Sequence, residues 1–217
     1  MLLSLDKTNF PLLAVEAVGI EINLLPITKV QFAQFVAESS AVSEPQYQEM
    51  VCLNPTVSPH QFELDERERL FISGILPEEA LAFARWLGEG FDLPTVKEWR
   101  AIYTALRRTS VPIRDELTTA MADGPAKTIL EKLDALHPNS MLDVSLMRHG
   151  LVEWVKKEKS FVGLGVPRPE FQGNLWDPLV NEIKPISLTD RVPYFGFRLV
   201  RRGEAYLTDR GTTWYVD

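Results

Sequence analysis

Four short segments, spread along the chain in a fixed order, constrain its fold more than any other feature. The second and third carry Trp99 and Trp154, whose rings are large enough to dominate the energetics of a core. In the second segment, Leu-Pro-Thr indicates the end of a strand that leads directly into a helix cap. The four segments are PITKVQFAQFV at 26–36, DLPTVKEWR at 92–100, MRHGLVEWV at 147–155 and GFRLVR at 196–201.

Capping residues predict where three helices begin. Thr28 offers a hydroxyl to the free amide groups of the first helix. Pro77 is favourable in the first turn of the second, and Gly88 ends it. Thr95 caps the third, and Glu98 completes a capping box with it. The expected buried faces are Val30, Phe32, Ala33, Phe35 and Val36 in the first helix, and Ala80, Leu81, Phe83, Ala84, Trp86 and Leu87 in the second.

The segments outside these helices are less regular. Apolar side chains around Gly19 predict two short strands within residues 11–25. Residues 141–200 have short apolar runs separated by Pro and Gly, which is typical of irregular β structure. Residues 108–140 combine a loop-like stretch with an amphipathic helix at 125–136, one side of which is formed by Ile129, Leu130, Leu133 and Leu136. Because no internal repeat or low-complexity linker divides the chain, we expect a single domain.

Composition excludes several classes of function. The 217 residues are 45% hydrophobic, as in a globular protein long enough to bury one large core. The formal net charge is −7, whereas binding to a phosphate backbone or an anionic membrane needs a basic face. No apolar run approaches the roughly 18 residues that span a bilayer. We therefore expect no direct binding to nucleic acid and no association with a membrane.

Cysteine usage and the first residues indicate a compartment. Cys52 is the only cysteine, which excludes an internal disulfide and favours a reducing cytoplasm. The apolar stretch at 1–22 is interrupted by charged residues and lacks a basic n-region, so it predicts strands and not a signal peptide. The expected localisation is cytoplasmic.

Together the four segments resemble the formylglycine-generating-enzyme domain, also called the sulfatase-modifying-factor family. The signature R-L-P-T-E-A-E-W-E of that family is matched at Leu93, Pro94, Thr95, Glu98 and Trp99, with departures at Asp92, Val96 and Arg100. The signature D-M-x-G-N-V-W-E-W-V is matched at Met147, Glu153, Trp154 and Val155, with departures at Leu146, His149, Gly150 and Val152. The closing G-F-R is matched at Gly196, Phe197 and Arg198.

The resemblance implies an α+β fold of the C-type-lectin-like kind, irregular, with short antiparallel strands and a few helices. It implies one domain over residues 1–203 with a divergent insertion at about 108–140, followed by a C-terminal extension over 204–217. The matched residues are expected to be folding determinants, because they are mostly large buried rings and helix caps.

The residues that would give such a scaffold its chemistry are missing. Oxidising members of the family hold copper with two cysteines near the C-terminal end, whereas Cys52 lies far upstream and is alone. Its apolar neighbours predict that Cys52 is simply a buried residue. Other branches bind non-haem iron through histidines, but His60, His137 and His149 lack the local spacing of a ligand pair.

The resemblance also points to a cation site and to a substrate groove. In the family, G-N-x-x-E-W supports a calcium ion through its Asn and Glu. His149-Gly150 replaces Gly-Asn here, which leaves Glu153 as the residual calcium candidate, and no other cofactor is expected. The alternative is that Glu153 accepts backbone hydrogen bonds at a buried turn. In the groove, Phe161–Gly165 keeps the glycines of the family's R-G-G-S-W strand without its Arg and Ser.

A preserved core with deleted chemistry predicts a non-catalytic protein-interaction or scaffold module. The resemblance implies an accessory subunit of a prokaryotic regulatory or defence assembly, since degenerate copies of the domain occur there. Two other hypotheses stay open. One is a metal-dependent oxidase with a rebuilt site, and the other is a lectin-like ligand-binding protein that requires calcium.

Two regions are candidates for contact with a partner protein. The first is the apolar side of the 125–136 helix, Ile129, Leu130, Leu133 and Leu136, unless these residues pack on the domain's own core. The second is the tail, where Tyr206, Trp214 and Tyr215 are amphipathic anchors unless they form a last β-hairpin. The acidic net charge suits a basic or regulatory partner.

Overall fold

The structure is a computed structural model that describes residues 3–53, 70–109, 140–147, 151–165 and 176–203. Its helices include α1 (Lys29–Glu38), α2 (Glu44–Leu53), α3 (Pro77–Leu87), α4 (Val96–Arg108) and α5 (Met141–Val144). Its strands are β1 (Leu3–Leu5), β2 (Pro11–Val15), β3 (Ile20–Asn23), β4 (Phe91–Asp92), β5 (Val152–Lys157), β6 (Ser160–Leu164), β7 (Phe195–Gly196) and β8 (Val200–Arg201).

The strands form two small sheets. The larger has the order β1-β2-β3-β8-β4 and is antiparallel throughout. In the smaller, β5 lies in the middle, antiparallel to β6 and parallel to β7. The prediction of an α+β fold with short, mainly antiparallel strands is confirmed.

Local capping chemistry operates where the sequence predicts it. The hydroxyl of Thr28 accepts a hydrogen bond from the amide of Gln31 at 3.2 Å, and that of Thr95 accepts one from the amide of Glu98 at 3.2 Å. The carboxylate of Glu98 in turn accepts from the Thr95 amide at 2.7 Å, which completes the predicted capping box. Pro77 begins α3 and Gly88 caps its end, as expected. These interactions fix the start of each helix relative to the preceding strand or loop.

Two apolar clusters fill the interior. One packs the larger sheet against α4 and the buried 141–147 segment, and it includes Trp99 and Ile102. The other surrounds an aromatic group in which the ring of Phe83 lies 5.7 Å from that of Phe32 and 5.5 Å from that of Phe197. Strand β5 contributes to both clusters, since Val155 belongs to the first and Trp154 to the second.

The predicted buried face of α1 is partly wrong. Val30 is 57% exposed and Ala33 is also exposed, whereas Gln31, Phe32 and Phe35 are buried. The reason is a pair of polar contacts, because the side-chain amide Nε2 of Gln31 donates to Asp6 at 3.2 Å and to Thr8 at 2.9 Å. These bonds turn Gln31 inward and leave Val30 facing solvent.

The predicted helix at 125–136 and the tail at 204–217 lie outside the described residues, as does almost all of the predicted insertion at 108–140. Their structure and the limits of the domain therefore stay predictions. Within the described ranges, no helix is both long and apolar enough to cross a bilayer.

The β5–β6 hairpin contains one strained residue that can be tested. Glu158 has φ of 54°, a conformation that costs a residue with a side chain about 1 kcal/mol. We expect Glu158→Gly to raise the free energy of unfolding by about 0.5 kcal/mol, because glycine relieves this strain at a smaller entropic cost. The measurement is the urea midpoint at constant m value. Lys159→Gly is the control, since Lys159 does not have a positive φ, and an equal gain there would contradict the explanation.

Candidate functional site

The surviving motif residues meet at Glu153, in the middle strand of the smaller sheet. Glu153 lies on β5 opposite Leu164 of β6 and Gly196 of β7, and only 1% of its surface is exposed. A carboxylate so deeply buried is tolerated only when its oxygens are paired. Arg198 donates from Nε to Oε2 at 2.8 Å and from Nη2 to Oε1 at 2.7 Å, a two-pronged ion pair.

Trp99 supplies the third hydrogen bond to this carboxylate. Its Nε1 donates to Oε2 of Glu153 at 2.8 Å, across 54 positions of sequence. The ring of Trp99 also stacks on Tyr103, with centroids 5.3 Å apart, so the indole is fixed in place by α4 itself. Glu153 therefore accepts its hydrogen bonds from the side chains of Trp99 and Arg198. The expectation that it accepts backbone hydrogen bonds at a turn is wrong.

The guanidinium of Arg198 is fully buried and reaches three further oxygen atoms. Nη2 donates to the carbonyl oxygen of Ser145 at 2.8 Å, and Nη1 donates to those of Asn23 and Leu24 at 3.3 and 3.1 Å. These carbonyls belong to the 141–147 segment and to the end of β3. Arg198 thus connects both sheets and the segment after α5.

The segment that Arg198 holds is strained. Leu146, next to Ser145, has φ of 58° although it is a bulky residue and only 2% exposed. This conformation is unusual for leucine, and it persists only where the surroundings determine it. The hydrogen bond from Arg198 to the Ser145 carbonyl and the burial of Leu146 hold the backbone in this conformation.

The residual calcium candidate can be compared with this geometry. Calcium is bound by six to eight oxygen atoms, usually including free carboxylate oxygens. Both oxygens of Glu153 already accept hydrogen bonds from Arg198 or Trp99. A second cation beside the guanidinium would be repelled at short range. The donor set therefore does not fit a calcium ion, and the geometry favours a structural ion pair at Glu153.

The single cysteine lies at the surface. Cys52 is on α2 and is exposed, so the expectation of a buried residue is wrong. The burial of Met50 accounts for this, because a residue two positions further along a helix points to the opposite side. A copper site with two thiolates does not fit a chain with one cysteine. His60, His137 and His149 lie outside the described residues, and within the described ranges no three His, Cys, Asp or Glu side chains form a metal-binding group.

The glycines expected near the substrate groove serve packing. Gly163 lies on β6, and a Cβ atom there would overlap the side chains of Val152 and Phe195. Gly165 has φ of 126°, and a Cβ there would come within 2.8 Å of the Leu151 carbonyl oxygen. These glycines allow β6 to lie closely against its neighbours.

The structure also contains a buried ion pair that the sequence did not reveal. Arg191 donates to both oxygens of Glu79, at 2.6 and 2.7 Å, and to the Gly74 carbonyl at 2.9 Å. Its Nε donates to Glu49 at 2.8 Å. The hydrogen bonds that Arg191 donates to Glu79 raise the pKa of Arg191 above its ordinary value, against the effect of burial. A separation of 112 positions between Arg191 and Glu79 leaves no local signal of this pairing.

A second missed network lies at the start of α4. Arg202 donates to both oxygens of Glu98, at 2.8 and 2.7 Å, and to Asp92 at 2.9 Å. Lys156 also donates to Asp92. Burial alone would raise the pKa of Glu98, but hydrogen bonds from Arg202 and Thr95 outweigh it and lower the pKa from 4.5 to about 2.

The comparison with protein families agrees with this arrangement. The profile described as the Sulfatase-modifying factor enzyme 1-like domain matches residues 3–203. The chain belongs to this family. No curated protein and no solved structure shows significant similarity to it. In this sulfatase-modifying-factor domain, the second, third and fourth sequence segments converge on one point through Trp99, Glu153 and Arg198.

The candidate partner-binding residues are not placed by the structure. Ile129, Leu130, Leu133, Leu136, Tyr206, Trp214 and Tyr215 all lie outside the described residues, and they stay predictions.

The buried ion pair can be tested by removing one partner at a time. Glu153→Gln leaves the guanidinium of Arg198 without a counter-charge, and we expect it to cost about 3 to 5 kcal/mol of folding free energy. Trp99→Phe keeps the ion pair and loses one hydrogen bond, which should cost about 1 to 3 kcal/mol. Urea unfolding of both variants measures the two losses of folding free energy, and the loss should be larger for Glu153→Gln. If Glu153→Gln unfolds, Trp99→Phe still reports on the site, and a variant as stable as the wild type would refute the role of the carboxylate.

The Glu98–Arg202 pair predicts a pH dependence. Because folding lowers the pKa of Glu98, its contribution to stability is complete above pH 4.5 and is lost as the pH falls towards 2. We expect Arg202→Met to be less stable at pH 6 and to lose less stability than the wild type between pH 4.5 and about 2. Urea midpoints across this range are the measurement. Arg100→Met, which removes a guanidinium that donates to the backbone carbonyls of Pro178 and Val180, is the control and should keep the acid dependence of the wild type.

Proposed function

We propose that this sulfatase-modifying-factor domain is a non-catalytic protein-interaction module. The proposal depends on one observation: the motif residues Trp99, Glu153 and Arg198 are buried, and the first and last of them donate hydrogen bonds to Glu153. Side chains engaged in this way stabilise the fold and present no group to a substrate. The single cysteine supports the same proposal, because the copper site of oxidising members needs two thiolates.

The proposed role is that of an accessory subunit in a cytoplasmic regulatory or defence assembly of a prokaryote. Support comes from the family membership together with the loss of the family's chemical groups. The net charge of −7 favours a partner with a basic contact surface, since complementary charge accelerates association and excludes acidic competitors. The proposal requires no metal ion and no calcium.

The test is capture of the tagged protein from its own host at near-native abundance, with metal analysis of the same eluate. We expect a stoichiometric protein partner and substoichiometric copper and iron. Cys52→Ser is the matched variant: the exposed thiol is not part of the core, so this change should leave the amount of captured partner unaltered.

Three results would contradict the proposal. A protein loaded with copper or iron and lacking a partner would favour an oxidase with a rebuilt site. Capture that depends on calcium and is displaced by a free sugar would favour a lectin-like protein. Loss of the captured partner on Cys52→Ser would show that the thiol has a chemical role.

A further inference from the structure

The seven residues at 184–190 form an ordered loop that presents apolar side chains to solvent. Ile186 is completely exposed and Leu188 is 38% exposed. Single exposed apolar residues are common on protein surfaces and need no explanation by themselves. This loop differs because the structure holds it at both ends and in its middle.

At one end, the backbone of Ile183 pairs with that of Gly163. The Ile183 amide donates to the Gly163 carbonyl at 2.9 Å, and the Gly163 amide donates to the Ile183 carbonyl at 2.8 Å. At the other end, Arg191 is bound to Glu79, Glu49 and the Gly74 carbonyl. Between these anchors, the Thr189 amide donates to the hydroxyl of Ser187 at 3.1 Å. A loop that is already ordered loses little conformational entropy when a partner covers it.

The surface beside the loop is acidic. Arg191 has one positive charge but lies between two carboxylates, those of Glu49 and Glu79. Glu78, adjacent in sequence to Glu79, and Asp190, adjacent to Arg191, are both exposed. The only exposed cationic side chain within the loop itself is Lys184, at the end towards β6. Negative charge therefore predominates at the end of the loop where Arg191 contacts Glu49 of α2 and Glu79 of α3.

We propose that the 184–190 loop, Glu49 of α2 and the acidic first turn of α3 form a docking surface for a basic peptide segment of a partner protein. The segment would place an apolar side chain against Ile186 and Leu188, with lysine or arginine residues facing Glu49, Glu78 and Asp190. Phosphate-bearing partners are repelled by the same carboxylates. This inference rests on the proposed function and names the surface and the chemistry of the partner.

The test uses a phage-displayed library of random peptides selected on the purified full chain, followed by anisotropy titration of the selected peptides. We expect these peptides to combine apolar residues with lysine or arginine. Ile186→Asp should weaken their binding about tenfold, because it puts a charge at the apolar contact. Val180→Asp is the matched control: Val180 is 73% exposed but is held at α4 by Arg100, and its change should have little effect.

A charge-reversal pair tests the acidic rim. Glu78→Lys should weaken binding and reduce its dependence on salt, whereas Glu16→Lys, an exposed carboxylate in the β2–β3 turn, should do neither. Peptides without basic residues, or an equal response of binding to Ile186→Asp and Val180→Asp, would overturn the proposed surface. Failure to select any peptide that prefers the wild type over Ile186→Asp would overturn it too.

A crosslinking experiment separates this inference from the proposed function. A photoreactive residue is placed at position 186 or at position 180 during capture from the host. Crosslinking of the partner at 186 supports the docking surface. Crosslinking at 180 alone would overturn the surface and leave the interaction module intact, whereas a metal-loaded protein with no crosslinked partner would overturn both.

Discussion

The ion pair between Arg198 and Glu153 is the interaction on which the rest of the structure depends. A guanidinium and a carboxylate that are both completely buried lose their hydration, and only near-perfect pairing compensates for that loss. Five oxygen atoms accept hydrogen bonds from Arg198, and they come from β3 and the residue after it, from β5 and from the segment after α5. Each of those elements must therefore occupy one position for the charge to be satisfied. The pair imposes a single arrangement on a domain whose strands are otherwise short and irregular.

Sequence reasoning succeeded where the cause of a structure is local. Thr28 and Thr95 begin their helices because their hydroxyls satisfy amides three residues away, and that spacing is visible in the sequence. The pairs formed by Arg191 with Glu79 and by Arg202 with Glu98 were not predicted, because more than 100 positions separate their members. For the candidate site, Glu153 and Trp99 were expected to matter for folding. Arg198, which like Trp99 donates to Glu153, is recognisable in the sequence only as part of a motif, without its contacts.

The errors about α1 and Cys52 have one origin. Apolar identity predicts burial for Val30 and Ala33 on the first helix, and apolar neighbours predict it for Cys52, whereas burial is decided by what each helix packs against. Gln31 is buried because its side-chain amide donates to Asp6 and Thr8, and Val30 is exposed in consequence. Similarly, Met50 takes the interior position on α2 and Cys52 faces outward. A polar residue inside can thus reverse the orientation that hydrophobicity favours.

The position of β8 has a consequence for how the chain acquires its structure. In the larger sheet β8 lies between β3 and β4, and the contact of Arg201 with Glu21 joins residues 180 positions apart. Strands β1 to β3 are synthesised early, yet the edge of β3 stays open until β8 has been translated. Such distant pairing makes loop closure costly and folding slow. An exposed strand edge is also a site of intermolecular pairing. The nascent domain therefore passes through a prolonged state in which an open sheet edge is available to chaperones or to aggregation.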